Sequence, residues 1–188
     1  VLFRSYFERG MMPLSNSEEA ARNAKKLLTD FRQKELPIII VQHIASRPEA
    51  GFFLPNTYGA EIHESVKPLN TEKIVVKHFP NSFRETDLDS YLNKSGIKDL
   101  VICGMMTHMC IDATTRAAKD LGYNCTIIGD ACATRDLEIF GKKTDAKDVQ
   151  NSFLSALNYF YAKVTTTEQY LNDNLLKPEV RSEERRVG

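Results

Sequence analysis

Tryptophan is absent from the 188-residue sequence, and its apolar runs are short. None approaches the roughly 20 residues of a membrane-spanning helix. Basic and acidic residues balance at 25 each, so charge gives no reason to expect nucleic acid or a membrane as a partner. No secretory signal is visible. The four cysteines form neither a CxxC pair nor a zinc pattern. We therefore expect one domain in a reducing cytoplasm.

Apolar runs and helical patterns alternate along the chain. Continuous β-branched runs over 38–44 and 73–78 predict buried parallel strands. Apolar residues at helical spacing predict helices over 17–34 and 145–161. Such alternation indicates an α/β fold with right-handed crossovers. We expect a three-layer Rossmann-like parallel sheet with helices on both faces.

Several local features carry further expectations. A capping box of Ser15 and Glu18 would start the first helix. The segment 45–70 is long and irregular, so we expect it to wall the pocket or a subunit interface. A strand over 125–128 should end at Gly129, and a polar connection should follow over 134–143.

One cysteine stands apart from the other three. An apolar strand over 100–105, a tight polar loop and then a helical pattern place Cys110 at the carboxyl edge of the sheet, where α/β folds bind ligands. A helix N-terminus favours a thiolate and offers N–H donors to an oxyanion. Cys103 and Cys125 lie inside apolar runs and Cys132 follows one, so we expect them in the core. Cys110 is therefore the candidate nucleophile.

The stretch GMMTHMCIDATTRAAKDLGYNCTIIGDACATRD over 104–136 resembles the core motif of the isochorismatase-like cysteine hydrolases. That superfamily includes nicotinamidases and N-carbamoylsarcosine amidohydrolases, and the similarity runs from about residue 6 to residue 171. The resemblance implies that Cys110 is the nucleophile. KHFPNSF over 77–83 matches the motif that holds the catalytic lysine, here Lys77. A cis peptide between Met105 and Met106 is also implied, which would aim the Met106 and Cys110 N–H groups at the substrate oxygen.

The family's third catalytic group is an aspartate at the end of an apolar first strand, which an aromatic, glycine-rich turn follows. Residues 6–10 resemble that turn, whereas the strand and its aspartate are not found. The segments 1–5 and 181–188 resemble translated sequencing adapters. We therefore predict non-native ends, a single domain over 6–175 and a missing first central strand. The activity of this chain by itself is then uncertain.

We expect four further side chains to line the pocket. His43 ends a strand, Thr107 and His108 precede the nucleophile, and Phe52 lies in the long irregular segment. Nicotinamidases of the superfamily hold a metal with an Asp-x-His pair and a further histidine. HIASRPEAG over 43–51 has no such pair, so we expect no metal and no cofactor.

Charged residues of the motif have structural explanations. We expect Arg116 and Arg135 to be structural charge partners, and Asp112 and Asp130 to cap locally.

The resulting hypothesis is an amidohydrolase-type enzyme with an Asp-Lys-Cys triad. It would cleave a C–N bond of a small amide or carbamoyl compound through a thioester on Cys110. Two alternatives stay open. One is a non-catalytic or redox-sensing member, in which Cys110 is a sensor thiol or a core residue. The other is an isochorismatase-type vinyl-ether hydrolase, against which the presence of Cys110 argues. Family members are usually dimers or larger, so we expect a homo-oligomer.

Overall fold

The computed structural model describes residues 2–8, 10–47, 49 and 51–175, so the predicted non-native segment 181–188 lies outside the described residues. The elements in chain order are α1 (Ser17–Gln33), β1 (Ile39–His43), β2 (Lys73–Lys77), α2 (Leu88–Lys94), β3 (Asp99–Met105), α3 (Asp112–Asp120), β4 (Asn124–Ala133), β5 (Leu137–Ile139), β6 (Lys142–Thr144), α4 (Ala146–Phe160), β7 (Lys163–Thr165) and α5 (Thr167–Leu175). Within these ranges, no helix has the length and apolar character to span a bilayer.

Helices cover both faces of a parallel sheet, as predicted. In β4, Ile128 faces the core that α1 completes, whereas its neighbour Ile127 packs with Leu157 of α4. Successive strand residues point to opposite faces, so β4 separates two helical layers. The buried stripe of α1 is rich in small residues, Ala20, Ala21 and Ala24 among them, which lets the helix lie close to the sheet.

The parallel sheet forms two separate hydrogen-bonded ladders. β1 pairs with β2, and β3, β4 and β7 pair in that order. Among the described strands, none pairs with the second edge of β1 or of β3. Between them lies an apolar slot, lined by residues 38–41 at β1, residues 100–103 of β3, and side chains of α1 and α2. The apolar runs of β1 and β3 were predicted to be buried, yet residues 39–43 and 100–103 are only half-buried because their open edges face this slot.

The slot has a volume of about 230 Å³ and is partly open to solvent.

Two predictions about the second half of the chain are wrong. β4 does not end at Gly129 but continues to Ala133, because a register shift in its pairing with β3 lets Gly104 and Met105 pair with Cys132 and Ala133. The connection over 134–143 is not merely polar loop. It contains β5, which pairs antiparallel with β6.

The N-terminal region differs from prediction in two ways. The capping box is not formed. Asn16 is the N-cap residue, and its side chain makes no capping hydrogen bond. Ser15 instead forms an antiparallel β-bridge with Thr134. Leu2 and Phe3 are buried in the core, and Phe3 bridges Ile62. The core thus begins before the predicted domain boundary at residue 6.

Candidate active site

Lys77 and Cys110 meet at the carboxyl ends of the two ladders. Lys77 is the last residue of β2 and is 0 % exposed, and Cys110 follows β3 and is 6 % exposed. The two side chains lie close enough for Cys110 to affect the pKa of the Lys77 ammonium. Since one residue ends the β1–β2 ladder and the other follows β3, the carboxyl ends of both ladders meet here.

Burial lowers the pKa of the Lys77 ammonium, and the neighbouring Cys110 partly counters that effect. The Lys77 Nζ also donates to the carbonyl oxygen of Pro80. No carboxylate among the described side chains lies within 4.0 Å of this nitrogen. A buried cation without an anionic partner is costly. Among the described side chains, Cys110 is the neighbour of the Lys77 nitrogen that could become negatively charged.

The turn after Lys77 is tied to the helix after Cys110. The Ser82 and Thr114 hydroxyls lie 2.9 Å apart, and the Ser82 N–H donates to Thr114 Oγ1 over 3.1 Å. Thr114 Oγ1 in turn donates to the Pro80 carbonyl, 3.3 Å away. These bonds hold the lysine and the thiol in a fixed mutual position.

The loop before Cys110 has the predicted backbone. The peptide bond between Met105 and Met106 is cis. A π turn over Thr107–Ile111 then precedes α3, whereas the sequence pattern predicted a regular helix from Cys110. The Met106 carbonyl oxygen accepts from the N–H groups of Met109 and Ile111, each at 3.2 Å. The wider turn sets Cys110 ahead of the regular helix.

An aromatic wall stands next to the thiol. Tyr6 is 1 % exposed, and the pKa of its hydroxyl is raised well above the ordinary value, mainly by burial and further by Cys110. The ring centroids of Tyr6 and Phe53 lie 5.3 Å apart, with the rings edge-on to each other. The ring centroids of Phe52 and Phe53 lie 4.9 Å apart in the same T-shaped arrangement. Sequence reasoning selected Phe52 and missed Tyr6 and Phe53. No local pattern marks them, since Phe53 reaches the site from a left-handed backbone conformation.

His43 ends β1 beside this wall, with its ring 5.5 Å from that of Phe53. Burial, followed by Lys77 and His78, lowers the pKa of His43 to about 4. The imidazole is therefore neutral at pH 7. Its Nδ1 atom is buried and, among the described groups, has no hydrogen-bond partner, so it is available to a ligand.

The other two predicted pocket residues face β4. Thr107 is fully buried, and its hydroxyl donates to the Ala133 carbonyl oxygen over 3.2 Å. His108 Nδ1 lies 2.5 Å from the Thr134 hydroxyl. Burial, followed by Arg135, lowers the pKa of His108. Both side chains thus anchor the nucleophile loop to the end of β4.

Two charged residues of the motif, Arg116 and Asp130, have structural partners. Arg116 forms an ion pair with Asp112 at 2.9 Å and stacks over Tyr161. Asp130 accepts from the N–H and the hydroxyl of Thr167 at the start of α5, each at 2.8 Å. In the described ranges, no cluster of three potential metal ligands occurs.

The other cysteines are in less reactive surroundings. Burial raises the pKa of Cys103 and of Cys132, and it raises the pKa of Cys125 to about 11. At pH 8 a thiol with a pKa of 11 is only about 0.1 % thiolate, the form that is alkylated. Cys110 instead lies beside the buried Lys77 ammonium, whose pKa it affects.

Iodoacetamide should therefore modify Cys110 at least about ten times faster than Cys125 at pH 8. Peptide mapping by mass spectrometry over a time course measures both rates in one sample. The variant Lys77→Met should slow labelling of Cys110 and leave Cys125 unchanged. Equal labelling of the two thiols would contradict the assignment.

The fold and the site define a three-layer α/β protein with a thiol and a buried lysine at the carboxyl edge of its sheet. Residues 3–169 match the isochorismatase domain family. The chain is 54 % identical over 166 residues to the isochorismatase family protein YddQ of Bacillus subtilis, a match that covers 88 % of this chain and 92 % of the relative. The chain belongs to the isochorismatase family and is a hydrolase of that family.

Two further comparisons agree with this assignment. The crystal structure of an isochorismatase hydrolase from Oleispira antarctica superposes with a TM-score of 0.88 and 47 % identity, covering 91 % of this chain and 92 % of that one. Streptothricin hydrolase of Streptomyces noursei is 30 % identical over 132 residues, which are 70 % of this chain and 51 % of the relative.

Proposed function

We propose that the protein hydrolyses a C–N bond of a small amide or carbamoyl compound through a thioester on Cys110. The observation that carries the proposal is the proximity of Lys77 and Cys110, both buried at the carboxyl edge of the sheet. A lysine held there can stabilise a thiolate, and a thiolate is the nucleophilic form of cysteine.

In the first half of the reaction, Cys110 Sγ attacks the carbonyl carbon and its proton passes to a carboxylate. The oxygen of the tetrahedral intermediate carries the negative charge, which the N–H groups of Met106 and Cys110 would stabilise. The C–N bond then breaks, and the carboxylic acid returns the proton to the departing ammonia or amine. A thioester remains on Sγ.

In the second half, water attacks the thioester carbon and gives its proton to the same carboxylate. The C–S bond breaks, the acid product leaves, and the proton returns to the thiol. Lys77 would orient the carboxylate and the thiol and stabilise whichever of them carries the negative charge at each step. The resemblance assigns the carboxylate to an aspartate at the end of a strand before residue 6.

Three features favour a small, largely apolar acyl group. Tyr6 is a neighbour of Cys110 and packs in one aromatic cluster with Phe53 and Phe52, and His43 is neutral at pH 7. The only described cation at this position, Lys77, is engaged with Cys110 and Pro80. One of the relatives is named streptothricin hydrolase, which agrees with a hydrolytic reaction.

The test is a panel of small primary amides and N-carbamoyl compounds, with ammonia release as the readout and the aspartate-bearing strand fused ahead of residue 1. Rapid acid quenching and mass spectrometry should find an acyl adduct on the peptide that contains Cys110. A matched panel of esters and vinyl ethers serves as the comparison. Turnover of vinyl ethers with no amide cleavage would refute the C–N assignment.

A further inference from the structure

We propose that Cys110 and Lys77 are also a modification site, at which hydrogen peroxide joins the two side chains in a covalent sulfur–nitrogen crosslink. The crosslink is a sulfenamide, and it blocks the thiol until a reducing thiol opens it. It involves the two side chains that the proposed hydrolysis also uses, but it needs neither an amide substrate nor turnover. The two proposals can therefore fail separately.

Hydrogen bonds place the lysine nitrogen close to the sulfur. The Lys77 Nζ and the Thr114 hydroxyl donate to the same oxygen, the carbonyl of Pro80. Thr114 lies four positions after Cys110, and side chains at that spacing lie on one side of a helical segment. Cys110 is also close enough to affect the pKa of the Lys77 ammonium. The amine therefore lies beside the thiol before any oxidation occurs.

The surroundings of the sulfur admit a small oxidant more readily than a large reductant. Cys110 is 6 % exposed, whereas its neighbours Lys77 and Tyr6 are 0 % and 1 % exposed. Hydrogen peroxide is small and uncharged, while a peptide thiol such as glutathione is bulky and charged. Oxidised Cys110 therefore meets the lysine, which is already in place, ahead of a thiol that must arrive from solution.

The crosslink forms in two steps. In the first, the Cys110 thiolate attacks one oxygen of the peroxide, so that an S–O bond forms and the O–O bond breaks. Sulfur is oxidised to a sulfenic acid, and the released hydroxide becomes water with the proton that the thiol gave up. In the second, the Lys77 Nζ lone pair attacks sulfur, the S–N bond forms and the S–O bond breaks. The departing hydroxide takes a proton from nitrogen, so one peroxide yields two waters per crosslink.

Oxidation itself prepares the lysine for the second step. Only the neutral amine has the lone pair that attacks sulfur. Burial lowers the pKa of Lys77, and the neighbouring Cys110 partly raises it. When the thiolate becomes a neutral sulfenic acid, the charge that favours the ammonium disappears and the effect of burial remains. Lys77 thus gives up its proton at the stage at which the amine is needed.

The neighbours of Cys110 favour the lysine over a disulfide. A sulfenic acid condenses with a thiol or with a nitrogen, whichever is at hand. Cys132 has Cys103 as a thiol neighbour, and Cys125 lies near the amino end of β4. Beside Cys110 the described chain instead places Lys77 and the Tyr6 hydroxyl. Of these two groups, the lysine is the nitrogen nucleophile.

Peptide mapping of the peroxide-treated 188-residue chain tests the site. Trypsin does not cleave after a modified lysine, so the crosslink should join residues 74–84 to residues 99–116. The joined peptides should weigh two hydrogen atoms less than the separate peptides, and fragmentation should place the bond between Lys77 and Cys110. Dithiothreitol, a small neutral thiol, should release both peptides. Oxidised Cys110 without the crosslink, or a link that contains oxygen, would overturn the proposal.

Two lysine variants separate the crosslink from ordinary oxidation. Lys77→Met has no amine, and Lys77→Arg keeps the positive charge on a guanidinium that does not give up its proton. After long exposure to excess peroxide, dithiothreitol should restore at least about half of the iodoacetamide labelling of Cys110 in the unaltered chain and less than about a tenth in either variant, because an unprotected sulfenic acid proceeds to the sulfinic acid.

Lys73→Met is the matched control, since Lys73 lies at the other end of the same strand. Its labelling should recover as it does in the unaltered chain, and circular dichroism will check that each variant is folded. Equal recovery in the unaltered chain and in both Lys77 variants would refute the protective role of the lysine.

A trapping reagent tests the intermediate without any variant. Dimedone reacts with sulfenic acids, so dimedone added together with peroxide should label Cys110 and lower the yield of the crosslink. An undiminished yield would exclude the sulfenic acid route. A crosslink in a protein that cleaves no amide leaves the oxidative site intact and removes the proposed hydrolysis, whereas amide turnover without any crosslink removes the oxidative site alone.

Discussion

Alanine in place of Cys110 should lower amide hydrolysis by at least about a thousandfold, because the covalent route disappears with its nucleophile. The assay is ammonia release with the aspartate-bearing strand fused ahead of residue 1. Since Cys110 lies in a loop held by the Met106 carbonyl, the fold should survive, and circular dichroism will check this.

Cys125→Ala is the matched control. Cys125 is also a buried thiol, but it lies near the amino end of β4, away from the site. Its replacement should leave the turnover rate within about twofold and cost about 1 kcal/mol or less in unfolding free energy. Undiminished hydrolysis by Cys110→Ala would exclude the thioester mechanism. If Cys110→Ala loses reversible oxidation but keeps its rate of hydrolysis, a redox-sensing role is favoured instead.

Lys77→Met should change activity and stability in opposite directions. Turnover should fall by about a hundredfold or more, because no cation then holds the thiolate and the carboxylate. In the chain without the added strand, the free energy of unfolding should rise by about 1–2 kcal/mol, because a buried ammonium without a carboxylate partner is replaced by an apolar side chain of similar length. Ammonia release and urea unfolding measure the two effects.

Lys73→Met is the control at the other end of the same strand. Lys73 is an exposed partner of Asp87, and such surface pairs contribute about 0–1 kcal/mol. Turnover should stay unchanged. If Lys77→Met lowers both activity and stability, the lysine is a structural cation whose counter-charge lies elsewhere, and its assigned role is wrong.

The parts of the fold that depend on local patterns could be predicted. The helix over 17–34 appears as α1, and the runs at 38–44 and 73–78 appear as β1 and β2. Each of these segments shows, within its own residues, either apolar residues at helical spacing or a continuous apolar run. The location of Cys110 could also be predicted from local sequence. It follows a strand, a glycine and a loop, and this order places it at the carboxyl edge of the sheet.

The parts that depend on distant partners could not. β4 continues past Gly129 only because β3 shifts register beside it, and no residue of β4 carries that information. Tyr6 and Phe53 are 47 positions apart in the sequence and meet only through tertiary packing.

Lys77 and Cys110 belong to different halves of the sheet, and their side chains approach each other at its carboxyl edge. A change in the spacing of the two ladders would therefore change the surroundings of the thiol. The rate at which Cys110 is alkylated is thus also a measure of how the two halves of the sheet are placed relative to one another.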